Sequence, residues 1–219
     1  MTSTFFELNY SQIAEPLAFF NKEGLTIPES LNKAINKRKI DFLAGRYCAK
    51  KALSNHLMQE WLNEIPIGPT RAPIWPPNIL GSITHTKDFA AALISTQDHY
   101  LGIGLDAEIM IQDPKPGLEK QICAKGELGP WLKREFSYEE LLTLVFSAKE
   151  TLYKCIHPTE QIFFGFHDAR LTNITSKVVR LELCTDVGKF PKGFSLDISY
   201  EKRVNMLLTT GFIKENDLY

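Results

Sequence analysis

One stretch restricts what this chain can fold into more than any other. Residues 138–156 carry Leu141, Val145, Ala148, Leu152 and Ile156 at spacings of three and four, the buried stripe of an amphipathic helix. Ser137 stands before it as an N-cap, and Glu140 completes a capping box. Pro158 is expected to end the helix. Ser147, Glu150 and Lys154 fall on another face, with Glu150 and Lys154 one turn apart. That pair is either a solvated surface pair or part of a site.

The rest of the chain offers strands to cover such a stripe. Residues 1–28 read as an irregular or short-strand entry. A long helical pattern over 29–62 follows, with Ile40, Leu43, Tyr47, Leu53 and Leu57 as its apolar stripe. Lys37, Arg38, Lys39, Arg46, Lys50 and Lys51 crowd that helix. They either solvate it or cradle a phosphate or an acidic protein, because guanidinium forks match phosphate oxygens. A proline-rich loop over 64–80 presents Arg71 and Trp75. Three strand-like runs, 79–85, 89–95 and 100–109, then read as a β-meander. Residues 110–137 read as a mobile connection between halves, in which the roles of Glu119, Glu127 and Glu135 are not legible. Beyond the 138–156 helix, an apolar run at 163–166 and runs at 178–183, 194–200 and 204–210 supply further strands. Phe163, Phe164 and Phe166 are expected in the core. The fold class is α+β. Two halves of like element order, 1–109 and 110–219, each set a helix on a small antiparallel sheet.

Bulk properties narrow the function. The formal charge of −1 over 219 residues gives no global field for nucleic acid, so a charged partner must be met by a local patch. Cys48, Cys123, Cys155 and Cys184 are far apart, with no CxxC pair, which excludes a zinc-finger framework. They read as reduced thiols of a cytoplasmic protein. No signal peptide and no membrane span are expected.

Two carboxylates demand an explanation. Asp106 and Glu108 alternate on the 100–109 strand, so both point to one side. Like charges there repel. Either that face is open to water or a cation sits between them. With Glu150, they would form a hard oxygen site suited to Mg²⁺. His85, at the end of its strand, is either a satisfied structural residue or a ligand contact.

Three motifs in this order resemble the 4′-phosphopantetheinyl transferase superfamily. They are Gly81-Ser82-Ile83-Thr84-His85, Gly104-Leu105-Asp106-Ala107-Glu108, and Phe146-Ser147-Ala148-Lys149-Glu150-Thr151-Leu152-Tyr153-Lys154. Phe42-Leu43-Ala44-Gly45-Arg46 and Ala72-Pro73-Ile74-Trp75-Pro76 are similar to accessory motifs of its monomeric, two-lobed branch, of the enterobactin-synthetase component D type. The resemblance covers residues 38–166, and the 146–154 motif is its most specific part. Thr84 stands where serine is usual, and Ala107 where a larger aliphatic is usual.

The resemblance implies a pseudo-duplicated, two-lobed fold and transfer of 4′-phosphopantetheine from coenzyme A to a serine of an apo carrier protein. Adenosine 3′,5′-bisphosphate would leave. It implies Mg²⁺, or Mn²⁺, held by Asp106, Glu108 and Glu150. Glu150 would also take the serine proton, and Lys154 would serve the leaving phosphate. Thr84 and His85 would meet the 3′-phosphate, with Arg46, Arg71 and Lys149 as further phosphate contacts. The 29–62 helix would dock an acidic carrier, so reversing Lys37 and Arg38 is expected to weaken carrier binding and spare coenzyme A. The same carboxylates would also serve a Mg²⁺-dependent phosphodiester hydrolase or a non-catalytic module binding coenzyme A or a carrier.

Overall fold

A computed structural model of the chain describes residues 2–132 and 136–218. Glu135 lies outside the described residues. The chain divides into two compact units, Met1–His99 and Tyr100–Tyr219.

The first unit is a three-stranded antiparallel sheet with helices against it. Strand β1 (Ser3–Asn9) enters, and helix α1 (Pro16–Lys22) follows, where only an irregular entry was expected. Pro16 opens that helix because its missing N–H costs nothing in a first turn. The long helix α2 runs over Asn36–Leu57, shorter than the predicted 29–62, with a single 3₁₀ turn at Glu29–Leu31 before it. Strands β2 (Ile79–Thr86) and β3 (Phe89–Thr96) form a hairpin, and the sheet order is β1-β3-β2. Leu43, Ala44, Cys48, Ala52 and Leu53 of α2 pack with Phe20, Ala90, Ala92 and Ile94 in one core.

The expected meander is broken after β3. Strand β4 (Gly102–Ile109) leaves the first sheet and pairs with β8 (Met206–Ile213) at the edge of a five-stranded antiparallel sheet, order β4-β8-β7-β6-β5. The remaining strands are β5 (Ala169–Ile174), β6 (Val178–Leu183) and β7 (Ser195–Arg203). The unit boundary therefore falls at residue 99/100 rather than 109/110, and Asp106 and Glu108 belong to the second unit. Alternating patterns specify a strand but not which sheet it joins.

Helix α4 (Tyr138–Glu160) starts with the predicted capping box. Glu140 N–H donates to Ser137 Oγ, and Ser137 N–H donates to Glu140. The predicted stripe is fully buried. Pro158 does not end the helix, which continues to Glu160 and closes on Gln161 in a left-handed conformation. Residues 163–166 are not a strand. Phe164 is buried, Phe163 is 80% exposed, and Phe166 opens a 3₁₀ turn. Residues 110–132 are not a linker between units. Met110, Ile122, Cys123 and Leu128 enter the core of the second unit, and a short helix α3 spans Leu118–Ile122.

Glycines let α4 lie against the β4 backbone. A Cβ on Gly102 would sit 2.1 Å from the Cys155 carbonyl oxygen, and one on Gly104 would sit 2.2 Å from that of Thr151. Two residues further along β4, Asp106 bonds Ser147. Steps of two along the strand match steps of four along the helix, since both advance about 6 Å. The Gly-x-Gly-x-Asp spacing is therefore set by the helix it faces.

Candidate active site

Within the second unit, the β4–α4 contact gathers the acidic residues. Asp106 is buried, yet both its oxygens are held. Ser147 Oγ donates to Oδ2 at 2.8 Å, and Lys154 Nζ to Oδ1 at 2.7 Å. Lys154 also donates to the Leu105 carbonyl at 3.0 Å. The sequence pairs Lys154 with Glu150 on the helix surface, but the ammonium reaches across to the strand instead. Ser147 is fixed in turn by Thr209 of β8, 2.8 Å away, and Thr209 lies 2.6 Å from Thr151. This hydroxyl chain is a feature that sequence reasoning missed. Its signal was Ser147, placed one helical turn from Thr151 and two from Cys155, opposite the small residues of β4.

The carboxylates feel each other. Burial pushes the Glu108 carboxyl up to about 8, the neighbouring Asp106 and Glu150 charges add to the shift, and Lys154 opposes it. Burial also raises Glu150, with Lys154 opposing and Asp106 adding. Burial disfavours the charged forms first, and the neighbouring like charges add to it. Among the described residues, no three His, Cys, Asp or Glu side chains already stand in a metal-ligating arrangement. The donor set itself suits a divalent cation: hard oxygens only, with a mutual repulsion that a cation relieves.

Lys149 is placed differently from expectation. Its ammonium is buried against Glu127 at 2.9 Å and donates to the Ile122 carbonyl at 2.9 Å.

Within the first unit, a cavity of about 410 Å³ is lined by Arg38, Arg46, Arg71 and His85, with Asp41 and Phe42. Arg46 is buried. Its Nε donates to the Ile65 carbonyl at 2.8 Å, and its guanidinium lies 4.7 Å over the Phe42 ring. Burial lowers its pKa to about 10, which leaves it charged at neutral pH. Arg38 Nη1 donates to His85 Nε2 at 3.2 Å. Asp41 does not cancel these charges alone, since Lys37 pairs with it at 2.9 Å and Tyr10 Oη donates to it at 2.8 Å.

Arg71 owes its place to the proline-rich loop. Gly68 N–H donates to the Ala72 carbonyl at 2.7 Å, and Ile74 N–H to that of Pro66 at 2.9 Å. The closed turn holds Arg71 at φ 67°, a left-handed conformation rare for a non-glycine residue. Trp75 of the same loop packs on Gly81, where a Cβ would fall 2.3 Å from the indole. Gly81 thus admits a ring. Thr84 is buried on the face of β2 opposite His85 and does not line the cavity. Arg38, expected on a carrier-docking surface, is instead a wall of this cavity.

Two family models match the chain. The 4′-phosphopantetheinyl transferase N-terminal domain matches residues 27–95, and the 4′-phosphopantetheinyl transferase superfamily matches 102–203. Enterobactin synthase component D of Salmonella typhi is 33% identical over 88% of this chain and 80% of its own length. The chain belongs to the 4′-phosphopantetheinyl transferase superfamily. The 4′-phosphopantetheinyl transferase Npt of Nocardia iowensis is 35% identical over 72% of this transferase and 73% of its own length. The holo-[acyl-carrier-protein] synthase structure from Thermotoga maritima matches 53% of this chain and 65% of its own, at 19% identity and a TM-score of 0.43. Both family models respect the observed boundary, leaving residues 96–101 between them. No helix among the described residues of the transferase is long and apolar enough to cross a membrane.

Proposed function

We propose that this transferase moves 4′-phosphopantetheine from coenzyme A to a serine of an apo carrier protein in the cytoplasm, acting as a monomer with Mg²⁺. The observation that carries the reading is the coupled carboxylate group of Asp106, Glu108 and Glu150, with Lys154 bonded into it. Those three carboxylates would hold Mg²⁺, which, when bound, supplies charge neutralisation on a diphosphate. Mn²⁺ would satisfy the same oxygens.

The reaction needs positioning and charge compensation more than covalent help. The serine oxygen bonds to the β-phosphorus of coenzyme A. The bond from that phosphorus to the oxygen of adenosine 3′,5′-bisphosphate breaks. Glu150 takes the serine proton, directly or through water. Burial raises its proton affinity, which strengthens it as a base. Lys154 gives a hydrogen bond to the departing phosphate oxygen, exchanging Asp106 for it. The cation-lined cavity of Arg38, Arg46, Arg71 and His85 takes a phosphate group of coenzyme A. Thr84 supports this cavity by packing rather than by contact.

Intact mass measurement of an apo carrier protein, incubated with the transferase, coenzyme A and Mg²⁺, tests the proposal. A gain of one phosphopantetheine group that a chelator abolishes is expected. No gain across carriers of fatty-acid, polyketide, nonribosomal-peptide and siderophore systems would overturn it.

A further inference from the structure

Lys149 and Glu127 form a buried ion pair next to the candidate base, Glu150. Their side chains are 2% and 3% exposed. Both carboxylate oxygens and the ammonium of the pair have protein partners. Glu127 Oε1 accepts from Leu171 N–H at 2.8 Å, and Oε2 accepts from Ala124 N–H at 2.7 Å and from Lys149 Nζ at 3.1 Å. Lys149 Nζ also donates to the Ile122 carbonyl at 2.9 Å. One carboxylate and one ammonium thus join three segments: the loop after α3, the start of β5, and the turn of α4 that carries Glu150.

A buried pair is a poor way to gain stability, because desolvating two charges consumes most of their attraction. Apolar residues of like volume would serve a purely structural joint as well or better. What an ion pair adds is direction: the ammonium must meet both the carboxylate and a carbonyl. Lys149 precedes Glu150 by 100° of helix rotation, as the 3.6-residue turn requires. Locking the azimuth of one fixes the azimuth of the other. We propose that Glu127 and Lys149 are positioning residues that hold Glu150 toward Asp106 and Glu108, and that Lys149 is not a phosphate ligand. The inference rests on Glu150 being the base of the proposed reaction.

A double variant, Glu127→Gln with Lys149→Met, tests it. Removing both charges avoids stranding one of them in the core, so the protein is expected to fold with a melting temperature close to that of the parent. Steady-state kinetics should then show kcat lowered about tenfold to a hundredfold, the usual loss for a catalytic group misplaced by about 1 Å, with KM for coenzyme A within about twofold. Hydrogen exchange, measured without substrates, should show faster exchange of amides 148–152 in the variant. A tenfold rise in KM for coenzyme A at unchanged kcat would mean that Lys149 binds phosphate, and would overturn the proposal. Unchanged kcat with unchanged exchange would make the pair a plain structural joint, and would overturn it too. A parent protein without transfer activity would instead sink the assignment of Glu150 as base, while the exchange result would still report on the pair.

Discussion

The two units share a plan and differ in chemistry. Each lays one long helix on an antiparallel sheet, α2 on three strands and α4 on five. The buried polar positions of α2 are Asp41 and Arg46, and its neighbourhood collects Arg38, Arg71 and His85 around a cavity. The buried polar positions of α4 include Ser147, Lys149 and Thr151, and its strand side collects Asp106 and Glu108. One helix–sheet joint therefore concentrates cations, and the other concentrates anions. The difference follows from what each helix faces. Arg46 is stiffened by a ring and a carbonyl, which fixes its guanidinium in the cavity wall. Asp106 is stiffened by a hydroxyl chain and an ammonium, and burial together with its charge raises both Glu108 and Glu150.

The sharpest break in that comparison comes from removing an anion. Asp106→Ala and Glu150→Gln should each lower kcat/KM by at least about a hundredfold, as for central charge-stabilising groups. Transfer assays with saturating Mg²⁺ check this, and near-parental turnover in either variant would refute the assignment. Removing a cation from the first unit should act on binding instead. Arg71→Ala is expected to raise KM for coenzyme A about tenfold, the loss of one charge-assisted contact, with little change in melting temperature because the side chain is exposed. Arg38→Glu should likewise weaken coenzyme A binding, measurable by calorimetry. If it weakens only carrier binding, the cavity has been misread.

Smaller effects sharpen the contrast within the second unit. Ser147→Ala removes one of the two side-chain donors to Asp106 and should cost about 1 kcal/mol of stability, read as a lower denaturation midpoint. The last effect is a pH dependence. Glu108 holds its proton up to about 8 in the fold, against an ordinary 4.5. The folded state therefore binds more protons than the unfolded one across that interval, and stability falls as pH rises through it. Metal-free protein should melt lower at pH 8 than at pH 5. Glu108→Gln should flatten that slope. An identical slope in the variant would place the titrating group elsewhere.

Much of the site was legible because its residues are local. The capping box and the stripe of α4 depend on spacings within one helix, and hydrogen bonds and burial follow those spacings directly. Asp106 and Glu108 were legible as an electrostatic anomaly of one strand. Lys149 was misread because its adjacency to Glu150 says nothing about which way an ammonium turns. Its partner, Glu127, lies 22 residues away on a segment that carries no periodic signal. Arg38 was assigned to a docking surface because a charge on a helix reveals its face only once the neighbouring strand is placed.

By itself, the order of residues determined the two long helices, most of the strands, the acidic and basic candidates and the family resemblance, since each arises from periods of 2 or 3.6 or from a contiguous motif. Tertiary structure alone decided that β4 leaves the first sheet for the second, that Lys154 crosses to Asp106, and that Lys149 turns to Glu127. Those outcomes depend on backbone pairing and burial between distant segments, where small energy differences select one partner among several that the same local pattern allows.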